Sequence, residues 1–387
     1  MKLLAVAGCR PNFVKLGPLF REMRRHPEVR PLLVHTGQHY DRALSDVFFR
    51  DLELPEPDVH LEVGSASHAV QTARVMEGME EVLIEHVPDL VLLVGDVNST
   101  VAAALTAVKL GVPVAHVEAG LRSFDREMPE EINRVVTDSL SDFLFATERS
   151  ALDNLRREGV ADEKVFLVGN VMVDALLWSL PRIERSDVLE RQGLKAGGYA
   201  VLTLHRPDNV DDPEQAARLV RTLTELQRDV PVVFPVHPRT RERFSRMGLW
   251  HEVERARGLH PIDPLGYLDF LALVRGAALV LTDSGGLQEE STVLGVPCLT
   301  LRNGTERPAT VEQGTNRIVG KEPEAILEAA REALSGRWTK HGVPELWDGR
   351  ASERILSVLL ERAEEIRNLH RDLKERTSCQ RAPASAA

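Results

Sequence analysis

Three carboxylates in this chain of 387 residues stand directly after short apolar runs, where acids could move protons. Asp96 follows the run over 90–94, Glu118 closes the run over 112–117, and Glu130 lies in Pro129-Glu-Glu-Ile-Asn-Arg134. The two runs are β-branched-rich and the spacing predicts a helix over 99–110 between them, so this segment reads as a βαβ unit of a parallel sheet. Ligands of such sheets bind beyond the carboxyl ends of the strands. Pro129 followed by two acids predicts the first turn of a helix, where proline is tolerated and negative charge is favoured. The placement therefore allows three proton-transfer groups to converge on one crevice. The same placement would also serve acids that only cap helices.

A second stretch adds anion chemistry. An apolar run over 278–282 leads into Asp283-Ser-Gly-Gly-Leu-Gln-Glu-Glu290, and Gly295-Val-Pro297 ends the helix predicted there. Ser284, Gly285 and Gly286 would bring backbone N–H groups and a helix N-terminus to a phosphate. Turn geometry alone could also call for Ser-Gly here, since neither a Walker lysine nor a Gly-x-Gly-x-x-Gly pattern follows. Arg10, Lys15, His205 and His237 also fall at or just after predicted strand exits.

The elements that must hold these residues alternate throughout. Strands are predicted over 3–7, 32–36, 90–94, 112–117, 143–146 and 165–168, and again over 199–204, 232–236, 279–282 and 298–301. Helical runs between them make the chain α/β, with two doubly wound Rossmann-like halves. A polar stretch over 181–198 covers the crossing, which places a hinge near 170–195. The expected domains are 1–175, carrying the acids, and 176–365, with 366–387 forming the end of a C-terminal helix and a disordered tail.

Composition narrows the classes of function. Hydrophobic content of 43% and charged content of 28% are ordinary for a globular protein, and a net charge of -11 argues against a general nucleic-acid binder. No apolar run reaches membrane-spanning length, and no signal peptide is expected ahead of the first strand. Cys9, Cys298 and Cys379 are odd in number and far apart, which points to neither a disulfide framework nor a zinc site and fits a reducing cytoplasm.

Taken in order, the motifs resemble those of the non-hydrolysing UDP-N-acetylglucosamine 2-epimerases. The matching pieces are Arg10-Pro11 with Lys15, Gly95-Asp96, His116-Val-Glu-Ala-Gly-Leu-Arg122, Pro129 to Arg134, Gly169-Asn170, His205-Arg206, Pro235-Val-His237, Asp283 to Glu290, Thr305-Glu-Arg-Pro308 and Gly349-Arg-Ala-Ser-Glu-Arg354. The resemblance implies a B-type glycosyltransferase architecture, two domains facing a cleft that closes on a UDP-sugar, with a C-terminal helix returning to the first domain. It implies Asp96, Glu118, Glu130 and His205 as catalytic residues. It implies Arg10, Lys15, Arg134, His237, Phe270, Ser284, Gly285, Gly286 and Glu290 as substrate-binding residues, with Phe270 against the uracil. No metal and no other cofactor is implied, and the oligomer implied is a homodimer serving cell-surface polysaccharide biosynthesis. The chain departs from the family pattern at Cys9 and Asn12, at Gln38 to Asp41, and after His237, where Pro238-Arg-Thr240 stands.

The implied reaction inverts C2 of UDP-N-acetylglucosamine to give UDP-N-acetylmannosamine. The C2 hydrogen is not next to a carbonyl, so loss of UDP from C1 must acidify it. A 2-acetamidoglycal then forms, is reprotonated on the other face and takes UDP back. Rival readings are a related sugar such as a UDP-diacetamido uronate, a UDP-sugar glycosyltransferase, a hydrolysing epimerase and a non-catalytic nucleotide-sugar sensor.

Overall fold

Continuous runs of Val, Leu and Ala, with no polar alternation, suit strands covered by helices on both faces. In the computed structural model, which describes residues 1–37, 49–338 and 342–370, those runs form two parallel sheets. The chain divides into two compact units, Met1–Ala175 with Glu345–Ala387, and Leu176–Pro344. The segment Gln38 to Asp41 and the tail from Thr377 lie outside the described residues.

The sheet of the first unit has the order β3-β2-β1-β4-β5-β6-β7. Its strands are β1 (Lys2–Ala7), β2 (Arg30–His35), β3 (Val59–His60), β4 (Leu90–Val94), β5 (Val114–Ala119), β6 (Phe143–Ala146) and β7 (Val165–Leu167). Every residue of β4 is buried, and Val91 and Leu93 pack with Val75, Met79, Ala103 and Ala107. The strand order reverses between β1 and β4, which places the ligand crevice at their carboxyl ends. The helix Arg10–Met23 starts at one of those ends and the helix Asn98–Lys109 at the other.

The sheet of the second unit repeats the plan as β10-β9-β8-β11-β12-β13. Its strands are β8 (Ala200–Thr203), β9 (Val232–Pro235), β10 (Leu259–Ile262), β11 (Leu279–Thr282), β12 (Cys298–Thr300) and β13 (Asn316–Ile318). The reversal falls between β8 and β11, whose residues pair in register from Leu279 with Ala200 to Thr282 with Thr203. The core joins Leu202, Phe234, Leu281 and Leu299 to Leu219, Leu223, Phe244 and Ile326 from the covering helices.

Three strands, β3, β10 and β13, were not expected from the sequence. All three are sheet edges, and they read Val-His, Leu-His-Pro-Ile and Asn-Arg-Ile. An edge needs only one paired side and tolerates polar residues and proline, so it lacks the apolar run that marks a central strand.

The C-terminal helix Ala351–Glu361 packs within the first unit. Arg350 at its N-cap offers no side-chain cap, and the Asp174 carboxylate supplies one from a distant part of the chain, accepting from Ala351 N at 3.0 Å and Ser352 N at 2.7 Å. Trp347 anchors the approach by donating its indole N–H to the Thr147 carbonyl at 3.0 Å.

Candidate functional site

In the first unit the acids collect at the exits of β4 and β5. Gly95 turns out of β4 with φ 68, and a Cβ there would stand 2.7 Å from Lys15 Nζ, so both conformation and space call for glycine. Asp96 follows, 26% exposed, and accepts from Arg134 Nη1 at 2.5 Å. Asn133, on the same helix as Arg134, holds the Asp96 carbonyl at 2.9 Å.

Glu118 sits on an irregularity in β5, where pairing with β6 shifts between Val117 and Ala119. Its φ of 74 puts a buried non-glycine residue in the left-handed region. Such a conformation costs about 1–3 kcal/mol and persists where the surroundings enforce it. The bulge turns the carboxylate out of strict strand alternation to meet the buried ammonium of Lys15, from the first helix. Asn12, one of the departures from the family pattern, ties the same corner together. Its side-chain oxygen accepts from Gly8 N and Cys9 N at 3.0 Å each, and its amide donates to the Val94 carbonyl at 2.8 Å.

A buried network supports this corner from below. His116 faces Asp138 through Nδ1 at 2.6 Å and the Gly95 carbonyl through Nε2 at 2.9 Å. Asp138 also accepts from Gly120 N at 3.0 Å and pairs with Arg122 at 2.7 Å, and Arg122 in turn holds Glu158. Burial opposes ionisation of Asp138, but His116 and Arg122 outweigh it and hold the carboxyl below the usual range. Each ring nitrogen of His116 has its partner inside the fold. Thus His116, Gly120 and Arg122 brace the backbone on either side of Glu118 and just before Asp96.

The adjacent acids Glu130 and Glu131 have different surroundings. Glu131 is buried and accepts from Ser123 N, Ser123 Oγ and Phe124 N at 2.8, 2.9 and 3.0 Å, and from Arg134 Nη2 at 2.9 Å. Burial would raise its carboxyl, yet these bonds hold it below the ordinary value. It is the acid that fastens the loop ahead of the helix Pro129–Leu140. Glu130 is half-buried one residue earlier, in the first turn. Arg10, half-buried, opens the helix after β1. Two of the expected substrate-binding cations, Lys15 and Arg134, are therefore engaged by Glu118 and Asp96.

In the second unit, His205 leaves β8 and Asp283 leaves β11, neighbouring strands that bring together residues 78 apart in sequence. His205 Nδ1 lies 2.9 Å from Asp283 Oδ1, and the ring centroids of His205 and His237 are 6.3 Å apart. His237 caps the helix Pro238–Arg246, its Nδ1 accepting from Arg239 N at 3.3 Å. Ser284 is the N-cap of the helix Gly285–Leu294, which Gly295 ends in a left-handed turn.

Gly285 has a reason beyond ligand approach. A Cβ there would fall 2.4 Å from Arg307 Nη1 and 2.7 Å from Glu306 Oε1. Those side chains belong to a buried cluster in which Arg307 meets Glu289 at 2.8 Å and Glu306 at 2.5 Å, while Arg302 meets Glu306 at 3.0 Å. The Thr305-Glu-Arg-Pro308 motif thus packs under the start of the glycine-led helix. Glu290 is buried beside Glu289, and burial with that like charge pushes its carboxyl up to about 8, against the opposing hydrogen bond of Tyr267. Near neutrality it is a largely uncharged hydrogen-bonding group. Phe270 is half-buried on the helix Tyr267–Arg275 that also carries Tyr267.

Asp138, Asp283 and Glu131 were not assigned from the sequence. Asp138 lies four residues after Arg134 on one helix face, a spacing that could have flagged it. Asp283 needed the β8 and β11 adjacency. Among the described residues, no group of three or more His, Cys, Asp and Glu could hold a metal ion, and no helix is long and apolar enough to cross a membrane.

Residues 21–360 match the family described as UDP-N-acetylglucosamine 2-epimerase. The chain is 42% identical over 364 residues to the UDP-N-acetylglucosamine 2-epimerase of Methanocaldococcus jannaschii, covering 93% of this chain and 99% of that one. It is also 42% identical over 362 residues to the UDP-2,3-diacetamido-2,3-dideoxy-D-glucuronate 2-epimerase of Pseudomonas aeruginosa, again covering 93% and 99%. The solved structure of the Methanocaldococcus jannaschii UDP-GlcNAc 2-epimerase in complex with UDP-GlcNAc and UDP superposes with a TM-score of 0.88, covering 93% of this chain and 100% of that chain.

Proposed function

We propose that the chain, which belongs to the UDP-N-acetylglucosamine 2-epimerase family, inverts C2 of UDP-N-acetylglucosamine to give UDP-N-acetylmannosamine, and does so by eliminating and re-adding UDP. The observation that carries the reading is Glu118, a buried acid held in a left-handed conformation on a bulge one strand from Asp96. A fold spends such strain where a side chain must be aimed.

The C1–O bond to the diphosphate breaks first and leaves positive character at C1. The C2–H pair then forms the C1–C2 double bond as the proton passes to a carboxylate, giving the 2-acetamidoglycal and UDP. A proton delivered to the opposite face of C2 and attack by UDP at C1 complete the inversion, so atoms and electrons balance without an external oxidant. Asp96, Glu118 and Glu130 supply base and acid. Lys15 and Arg134 aim their partners, as charge-assisted hydrogen bonds do.

The second unit holds the nucleotide in this reading. The backbone N–H groups after Ser284, through Gly285 and Gly286, take the diphosphate. Glu290, neutral near pH 7, donates to a ribose hydroxyl without adding charge beside the phosphates, and Phe270 lies against uracil. His205 and His237, of the same unit, complete the diphosphate contacts. A soluble homodimer in the cytoplasm, making precursors for cell-surface polysaccharide, belongs to the same reading and is checked first by sedimentation.

Equal identity to the Pseudomonas enzyme favours a second reading, the same inversion on a diacetamido uronate. Incubating the purified protein separately with UDP-N-acetylglucosamine and with the UDP-diacetamido uronate, then resolving nucleotide-linked products from free UDP and free sugar, tests both. A C2 epimer still attached to UDP supports epimerisation of whichever sugar yields it. Free UDP and free sugar alone would make the protein a hydrolysing enzyme, and no product from either sugar would remove the proposed activity.

A further inference from the structure

The imidazole of His205 meets an unusually complete acceptor. Asp283 is fully buried, and its two oxygens accept from His205 N at 3.0 Å, Arg206 N at 2.9 Å and Asn209 Nδ2 at 3.2 Å, while Oδ1 lies 2.9 Å from His205 Nδ1. Asn209, buried as well, donates from the same Nδ2 to the Leu301 carbonyl at 3.1 Å, so the carboxylate has little room to rotate. The His205 side chain itself is 41% exposed. With Nδ1 turned to Asp283, Nε2 is the ring nitrogen left to face a ligand.

We propose that Asp283 is a positioning residue for the reaction: it holds a proton of His205 on Nδ1, locks the ring plane, and so supports the doubly protonated ring whose Nε2–H donates to the diphosphate of the nucleotide sugar. The carboxylate can only accept, and its backbone donors fix its orientation, so Nδ1 must donate. A carboxylate placed on the far nitrogen selects the tautomer and steadies the ring when charge develops at the near one. Asp283 need not touch the substrate. It also stands one residue before the N-cap Ser284, so one backbone segment sets both the histidine and the start of the anion-binding helix. This inference rests on the proposed epimerase reading for the ligand that Nε2 meets, but the tautomer itself is a property of the protein alone.

The test combines nuclear magnetic resonance of isotope-labelled histidine rings with kinetics of Asp283→Asn, His205→Asn and the double variant. In the unsubstituted protein the His205 signals should show a protonated Nδ1. In Asp283→Asn the side-chain amide faces Nδ1, so the proton should move to Nε2. Epimerisation kcat should fall by about 10²-fold while KM changes by less than about threefold, because ring orientation rather than nucleotide affinity is lost. The double variant should be no slower than His205→Asn within about twofold, since Asp283 acts through the ring. A ring protonated at Nε2 alone in the unsubstituted protein would overturn the proposal, and so would losses that multiply in the double variant. If Asp283→Asn does not fold, the ring signals of the unsubstituted protein decide. Full activity in His205→Asn would remove His205 from the reaction and the positioning role with it. An inactive His205→Asn with the wrong tautomer would sink the role of Asp283 and leave the epimerase reading standing.

Discussion

Each unit places a histidine–aspartate pair near the strand reversal of its sheet, and the two pairs differ in what surrounds the ring. In the first unit His116 is wholly buried, with Asp138 on one nitrogen and the Gly95 carbonyl on the other. Both ring nitrogens are used within the protein, so the ring holds the fold in place. In the second unit Asp283 takes Nδ1 of His205, and the side chain stays partly exposed. The same pair of residue types is a brace in one unit and leaves a partly exposed ring in the other. What separates them is whether the second ring nitrogen finds its partner inside the fold.

The comparison extends to the acids. Those of the first unit meet cations, Glu118 with Lys15 and Asp96 with Arg134, which holds each carboxylate in a fixed direction. Glu290 of the second unit is buried beside another glutamate and is kept largely protonated, which suits recognition of a hydroxyl. Substitutions of the acids in the first unit should therefore alter turnover, and those at Glu290 and the glycine-led helix of the second should alter nucleotide affinity.

The largest effect is expected from Glu118→Gln, which keeps size and loses the proton-accepting group. Turnover should fall by at least about 10³-fold, with UDP affinity held within about tenfold. Steady-state kinetics with calorimetry checks this, and full turnover would dissolve the division of labour between the units. Next comes stability. Asp138→Asn leaves the buried charge of Arg122 and the His116 ring without their carboxylate and should cost about 3–5 kcal/mol in denaturant unfolding. Asp283→Asn, beside an exposed histidine, should cost less, and the reverse order would erase the contrast between brace and presented ring.

A smaller effect concerns Gly285→Ala. Its Cβ would press on the buried Arg307 and Glu306 and shift the helix start, weakening UDP binding by about 1–3 kcal/mol with little change in the chemistry of bound substrate. Calorimetry showing unchanged UDP affinity would separate that helix from the nucleotide. Smallest is a pH effect. Glu290 is protonated below about 8, so UDP affinity should be level from pH 6 to 7 and decline as pH rises through about 8, by about tenfold one unit above it. Glu290→Gln, which cannot ionise, should flatten the curve; an unchanged decline would place its origin elsewhere.

Central strands were legible because burial on both faces demands uninterrupted apolar residues: β4, β6 and β11 fall at the expected residues. Edge strands such as Asn316–Ile318 carry no such demand and left no pattern. The acids at strand exits were legible for the same reason as the strands. Their supports were not. Asp138 reaches His116 across 22 residues and Asp283 reaches His205 across 78, and such pairings follow from strand order and helix packing rather than from local spacing. The bulge at Glu118 was equally silent, since nothing in His-Val-Glu-Ala-Gly marks a left-handed glutamate.

The central claim is that C2 of the sugar is opened and reclosed by proton transfer while the nucleotide leaves and returns. Running the reaction in deuterium oxide with UDP-N-acetylglucosamine, and examining the nucleotide-linked products by mass spectrometry and proton resonance, tests it most directly. The account predicts UDP-N-acetylmannosamine carrying one solvent deuterium at C2, with label appearing in recovered substrate as the reaction reverses. Epimer formed with the original hydrogen retained at C2, or no epimer with the nucleotide sugar bound, would contradict it.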